Sequence, residues 1–290
     1  FVLSPATITT NQITKFVSNP NLLINGDFRV NQRGFTTTNQ TNTYTVDRWL
    51  LSTTDNLASV TLNSDKTINL KNTGTTSRGY FIQYIDPTLN NLWGKTLTMS
   101  CKFTDGFVLS KTITMPIDKT TTGGAGASST HNSINLRMFI YNQKKMGFTI
   151  DIQQGANTSI EWAKFEIGSV ATALSPRPYA EELAMCQRYY EKIDTSIQGN
   201  NYNIFARVLS TNYLYNSLVN FVVEKRAKPT VKMYSVNNTE GYLLQIGTQD
   251  EKAVSANYIT TKTFNISISN NDAVANSVLG GYFEADAEIY

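Results

Sequence analysis

Short runs in which every second residue is apolar, broken by Asn, Gly, Pro and Ser, recur along nearly the whole chain, and that spacing limits what it can fold into. Residues two apart share a face only in an extended strand, so each run reads as a strand with one dry and one wet side. Residues 22–30 show it first: Leu22, Ile24, Phe28 and Val30 oppose Asn25, Asp27 and Arg29, while Gly26 marks a bulge or a close backbone approach. Residues 44–51, 57–62, 80–85, 97–103, 107–117, 134–140 and 148–152 follow, with no helical pattern between them. Residues 160–167 add a strand with Ala163, Phe165 and Ile167 on one face. Many short strands joined by turns predict an antiparallel sandwich or jelly roll. Further runs at 204–209, 218–223, 230–234, 242–246, 263–268 and 281–289 predict a second, smaller antiparallel β-domain.

Helical spacing is convincing in one place, between these two sets. Pro176 and Pro178 end the extended pattern, because proline cannot donate to a ladder. Ser175 is placed as an N-cap, and Glu181 and Glu182 fall where carboxylates complement the helix dipole. Leu183, Cys186 and Tyr190 then predict one buried stripe. The predicted fold class is all-β: an N-terminal arm or stalk end over 1–20, a jelly-roll sandwich over 21–178, a connecting helix over 179–195 that sets one body against the next, and a C-terminal β-domain over 196–290.

A chain of 290 residues that is 40% hydrophobic can build two cores. Charge is sparse, at 16% of residues and a net of +3, and it gathers only at Lys225-Arg226-Ala227-Lys228, so no nucleic-acid partner is expected. A surface of Thr, Asn and Ser suits extracellular fibrous or adhesive β-proteins. No apolar run approaches the ~20 residues of a membrane span, so no insertion is expected. The sequence opens on Phe1 with no signal-peptide pattern and reads as a fragment or processed product. Cys101 shares its face with Leu97, Met99 and Phe103 and reads as a buried thiol; whether it pairs with Cys186 is a matter of geometry.

Catalytic constellations are thin. The one histidine, His131, follows the Gly/Ser loop at 121–130 with no evident nucleophile, and that loop lacks the strand and helix that phosphate binding needs. Glu161 and Glu166 fall on opposite faces of their strand, and Glu181 and Glu182 are adjacent, so neither pair spans a cleft. No enzyme and no cofactor are expected. Sugar binding is better motivated, because 15 Tyr and 3 Trp exceed what two modest cores require and Asn is abundant beside them. The candidate rings are Tyr80, Tyr84, Trp93, Tyr213, Tyr215, Tyr242 and Tyr258. Near the end, Phe283, Ala285, Ala287 and Ile289 oppose Glu284, Asp286 and Glu288, and three like charges on one face repel. Lys225, Arg226 and Lys228 are the candidates to offset them, within a subunit or across an interface; plain solvation and a divalent cation are the alternatives.

The phrases NLLINGDFRVNQRG (21–34), YTVDRW (44–49), the stretch 160–191 containing SPRPYAEELAMCQRYY, and the later VEKRAKPTV and YFEADAEIY together resemble phage and prophage fibre or receptor-binding proteins that carry a carbohydrate-binding-module-like jelly roll. The resemblance implies a homotrimeric, non-catalytic protein of the virion surface. Its partners would be other virion proteins through the N-terminal arm and a host-surface glycan. A head fibre docked on the capsid through that arm, or a carbohydrate-binding module of a secreted glycoside hydrolase, are the alternatives. In this setting Trp49 is expected as a buried anchor, with Arg48 paired to Asp47 or a backbone carbonyl, and the corner around Asn25, Asp27 and Glu166 is where related jelly rolls can hold a structural calcium.

Overall fold

The computed structural model describes residues 18–76, 78–88, 90–192, 203–210, 213–215, 218–268 and 275–290. They fall into two units, one running to Glu182 and the other from Leu183 to Glu288. Most of the predicted arm lies outside the described residues, as do 193–195 of the predicted connecting helix. Among the described residues no helix is long and apolar enough to cross a membrane.

The first unit is built from β1 (Thr37–Thr38), β2 (Thr43–Tyr44), β3 (Leu50–Thr53), β4 (Ala58–Leu62), β5 (Ile68–Asn72), β6 (Gly79–Ile85), β7 (Thr96–Phe103), β8 (Val108–Thr114), β9 (Gly123–Ala125), β10 (Ile134–Asn142), β11 (Lys145–Ile152) and β12 (Asn157–Ile167). They form two antiparallel six-stranded sheets, ordered β1-β4-β5-β12-β7-β8 and β2-β3-β6-β11-β10-β9. The chain crosses repeatedly between the sheets, so β12 pairs with β5 and β7, and β6 with β3 and β11, in the manner of a jelly roll. Inward residues of both sheets make one core, with Leu70, Phe81, Phe103, Phe148 and Phe165 fully buried. Trp49 is its anchor: its ring stacks on Phe81 at 4.7 Å and meets Phe28 edge-on at 5.4 Å. Arg48 donates to the carbonyl of Tyr84 at 2.6 Å, the backbone partner the sequence allowed. Cys101 lies in the core beside Leu97, Met99 and Phe103, and both cysteines are free thiols.

Residues 22–30 are not a strand. Asn25 and Phe28 take positive φ of 57° and 60°, which folds the segment into a tight loop. Asn25, expected to face solvent, is wholly buried. Its Nδ2 donates to the carbonyls of Val30 and Asp47 at 2.8 and 3.0 Å, and its Oδ1 accepts from Val30 N at 2.9 Å. Leu23, not Leu22 or Ile24, enters the core. Gly26 does mark a close approach, because a Cβ there would stand 2.5 Å from the carbonyl of Ala163. Residues 44–51 likewise break into β2 and β3 around a turn in which Arg48 has φ 75°. The loop at 121–130 contains β9, which pairs with β10.

The helix, α1 (Tyr179–Gln187), is nine residues long and then gives way to strand, so the predicted extent to 195 is too long. Its first backbone bond runs from Glu182 N to the carbonyl of Pro178 at 3.1 Å, so Ser175 lies one turn too early to cap it. The second unit continues with β13 (Tyr190–Lys192), β14 (Ile204–Ser210), β15 (Tyr213–Tyr215), β16 (Leu218–Asn220), β17 (Thr230–Tyr234), β18 (Tyr242–Gln245), β19 (Glu251–Asn257), β20 (Thr263–Ile268) and β21 (Val278–Asp286). These make one nine-stranded antiparallel sheet in which β21 pairs with β13, β14, β17 and β18. Its core gathers Ile204, Val208, Leu243, Phe264, Leu279 and Phe283.

Within one chain the charges at its end are balanced differently from the expected intrachain pairing. Glu284 pairs with Lys192 at 2.7 Å, not with Lys225, Arg226 or Lys228. Lys225 is wholly buried against Glu191 at 2.5 Å. Arg226 donates to the backbone carbonyls of Ala287 and Glu288 at 2.7 and 3.0 Å, and Lys228 is exposed. Asp286 accepts from Glu288 N at 2.9 Å and from the Tyr290 hydroxyl at 2.8 Å.

Candidate functional site

The alternation that fills the core of the first unit also fixes what its second sheet shows on the other side. In β10, Ile134, Leu136, Met138 and Ile140 point inward, which turns Asn135, Arg137, Phe139 and Tyr141 outward. Register lines these up with outward residues of β3, β6 and β11. Tyr80 stands opposite Ser52 and Asp151, and Asp151 opposite Asn135. Ile82 stands opposite Leu50 and Thr149, and Thr149 opposite Arg137. Tyr84 faces Gly147, Gly147 faces Phe139, and Phe139 faces Gly124. The glycines make the aromatic row possible. A Cβ on Gly147 would press within 3.3 Å of the Tyr141 ring and 3.5 Å of the Tyr84 ring, and one on Gly124 within 2.9 Å of Phe139.

The rings on this face interact as a group. Tyr84 and Tyr141 meet edge-on at 5.6 Å, and Phe139 lies 6.4 Å from Tyr141. Lys145 Nζ sits 4.0 Å above the Tyr84 ring and 5.2 Å from that of Tyr141, a cation–π placement. Removal from water pulls the Lys145 ammonium below its usual range, and the same cause raises the phenols of Tyr84 and Tyr141. Arg137 lies over Phe139 at 5.7 Å.

Beneath the rings runs a row of buried polar atoms. Asp151 and Thr149 are fully buried and Asn135 nearly so. The Asn135 Oδ1, the Thr149 hydroxyl and both Asp151 oxygens have no hydrogen-bond partner, although Arg137 Nε lies 3.0 Å from Asp151 as an ion pair. Burial pushes the Asp151 carboxyl up to about 6, against the pull of Arg137 and Arg78. Buried polar atoms are nearly always paired in folded proteins, so the Asn135 and Thr149 oxygens beside the Asp151–Arg137 ion pair set this row apart.

The structure sorts the candidate rings. Tyr80 and Tyr84 lie on this face. Trp93 does not: it packs into the core of the first unit. Tyr242 and Tyr258 belong to the second unit, 38% and 82% exposed, and the side chains of Tyr213 and Tyr215 lie outside the described residues. Phe139, Tyr141, Arg137 and Asp151 were missed. The signal was present, since once 134–140 is read as a strand its odd-numbered positions must face away from the core.

The supposed calcium corner is occupied by protein. Asn25 closes its own loop, Asp27 pairs with Arg29 at 3.0 Å, and Glu166 takes the Thr172 amide at 2.8 Å and hydroxyl at 2.5 Å with Lys164 at 3.2 Å. Among the described residues no group of three or more His, Cys, Asp and Glu could share an ion. That corner is instead a clamp between the phrases NLLINGDF and SPRPYAEE. Arg177 donates to the carbonyls of Leu23 and Asn21 and pairs with Glu182 at 3.1 Å, while Glu182 also accepts from Asn25 N. His131 is paired too: its Nε2 lies 2.8 Å from Asp105, and its ring stacks on Phe107 at 3.9 Å.

No family model, no curated protein and no solved structure matches this chain.

Proposed function

We propose that the chain is a non-enzymatic attachment protein that binds a glycan on the outer face of the second sheet of its first unit, and that it serves as a homotrimeric fibre component on a phage virion surface, contacting the host cell. The observation that carries the binding reading is the juxtaposition on one sheet face of Tyr80, Tyr84, Phe139 and Tyr141 with the solvent-reachable cations Arg137 and Lys145. Sugars offer C–H faces to aromatic rings and hydroxyl oxygens to side-chain donors, and this face supplies both. The virion setting is supported by the phrases quoted above, NLLINGDF, DRW and SPRPYAEELAMCQRYY, and its partners there would be other virion proteins through the arm at 1–20. Weak individual sites suffice in a trimer, because linked sites raise the effective concentration of the second contact.

The test is a glycan array with the intact chain, followed by titration of the best binder against Tyr80→Ala and Tyr141→Ala. Truncating a ring that carries binding costs more than 1 kcal/mol, about a tenfold loss of affinity for each. Wild-type affinity in both variants, or cell adsorption that neither variant lowers, would place the contact elsewhere.

A further inference from the structure

The charges on the same face are unequal. Among the outward positions of β3, β6, β10 and β11 the single acid is Asp151, and it is inaccessible to solvent. The cations are not hidden: Arg78 is exposed at the start of β6, Arg137 keeps 26% of its side chain open, and Lys145 lies over the rim of rings. Arg78 and Arg137 both act on the one buried carboxylate, so two guanidinium groups share a single negative charge. Among the described residues neither Arg78 nor Lys145 has a carboxylate within 4.0 Å. A ligand arriving from solvent over these strands thus meets three cations and the rings of Tyr80, Phe139 and Tyr141, with Tyr84 buried among them, while the one acid of the strands is out of reach.

We infer that the saccharide this face takes is anionic, its carboxylate or phosphate seated between Arg78 and Arg137 and its ring lying against Tyr80 and Tyr84. This rests on the glycan reading above and adds the charge of the ligand to it. A neutral sugar gains nothing from surplus positive charge. An anion does, and guanidinium is suited to it because its planar donor fork matches both carboxylate and phosphate. Asp151 then has a positioning role: from under the sheet surface its charge holds Arg137 Nε at 3.0 Å and keeps the guanidinium over this part of the face.

The experiment compares matched probes on the intact chain by calorimetry: sialyllactose against lactose, trigalacturonate against trigalactose, and mannose 6-phosphate against mannose. The expected result is at least tenfold tighter binding of one or more anionic members than of their neutral counterparts, with a preference that shrinks as salt rises from about 50 to 300 mM. The uronate, sialyl and phosphate arms tell which anion is preferred. Lys145→Gln, at a position reachable from solvent, should reduce that preference several-fold without changing the melting temperature, whereas Arg78→Gln and Arg137→Gln should reduce it too but also disturb Asp151, and each is paired with Asp151→Asn. Equal binding of charged and neutral members would overturn the anionic inference and leave the glycan reading standing. Tight anion binding unchanged in the Arg78 and Arg137 variants would overturn the placement. Failure of every saccharide to bind would overturn both.

Discussion

Asp151 shows most plainly how one residue couples stability to the face it underlies. Its folded carboxyl titrates near 6, above the ordinary 3.8, so the folded state holds this proton more tightly than the unfolded chain does. The sign follows directly. Stability from this group is full below the unfolded value, is lost as pH climbs from about 4 to 6, and stays lost above that. A shift of about two pH units corresponds to about 3 kcal/mol. Asp151→Asn, which keeps the shape and removes the charge, should therefore stabilise the protein by about 2 to 3 kcal/mol at pH 8 and by little at pH 4, measured as urea midpoints. A variant less stable than the parent at pH 8 would mean that the Arg137 pair outweighs burial. At this scale the sequence was legible where a residue is apolar, as at Trp49, Phe81 or Cys101, since burial follows from side-chain type. It was not legible for buried polar residues, whose place depends on partners remote in the chain. Asn25, Asp151 and Lys164 all lie inside although their chemistry reads as surface.

At the scale of elements, the strands came through where their period was unbroken: β12, β17 and β20 lie where alternation placed them. Residues 22–30 show the limit. Their apolar period is strand-like, but Asn25-Gly26 is a turn dipeptide, and the left-handed φ it favours decides the local path. The short helix was foreseen and its length overestimated, because Tyr189 and Tyr190 fit a helical stripe and a strand equally well. What ends it is a buried ion pair. Lys225 Nζ donates to the carbonyls of Gln187 and Val223 at 2.6 and 3.1 Å and to Glu191 at 2.5 Å, tying the close of α1 to the opening of β13. Glu191 in turn accepts from Val222 N at 3.1 Å. Lys225→Met alone leaves a charge buried without its partner, and a loss of about 3 to 5 kcal/mol is expected. The double variant Lys225→Met, Glu191→Leu should recover most of that in a urea titration. If it does not, the surrounding carbonyls, and not the carboxylate, set the worth of the lysine.

For the whole molecule, the all-β class, the sandwich and the later antiparallel sheet follow from patterning, whereas function does not, because the aromatic and cationic face draws on β6, β10 and β11, which register alone brings together. The fibre reading makes a prediction at this scale. Over a range of micromolar concentrations the full chain should sediment as a trimer and keep that size in SDS until heated, while a module detached from a hydrolase would sediment as one chain.

β21 also bears on the order in which the protein can be made. Four of its eight companions in the nine-stranded sheet bond to it directly, yet all eight precede it in the sequence. Until 278–286 has left the ribosome, β13 and β17 have no partner and the ladders β14-β15 and β18-β19-β20-β16 have nothing to join them, whereas the strands up to Glu182 are already made and free to collapse. A stop codon just upstream of Val278 would accordingly spare the strands of the jelly roll and leave trailing from it a sheet split into separate pieces with open edges, a product for proteases to clear.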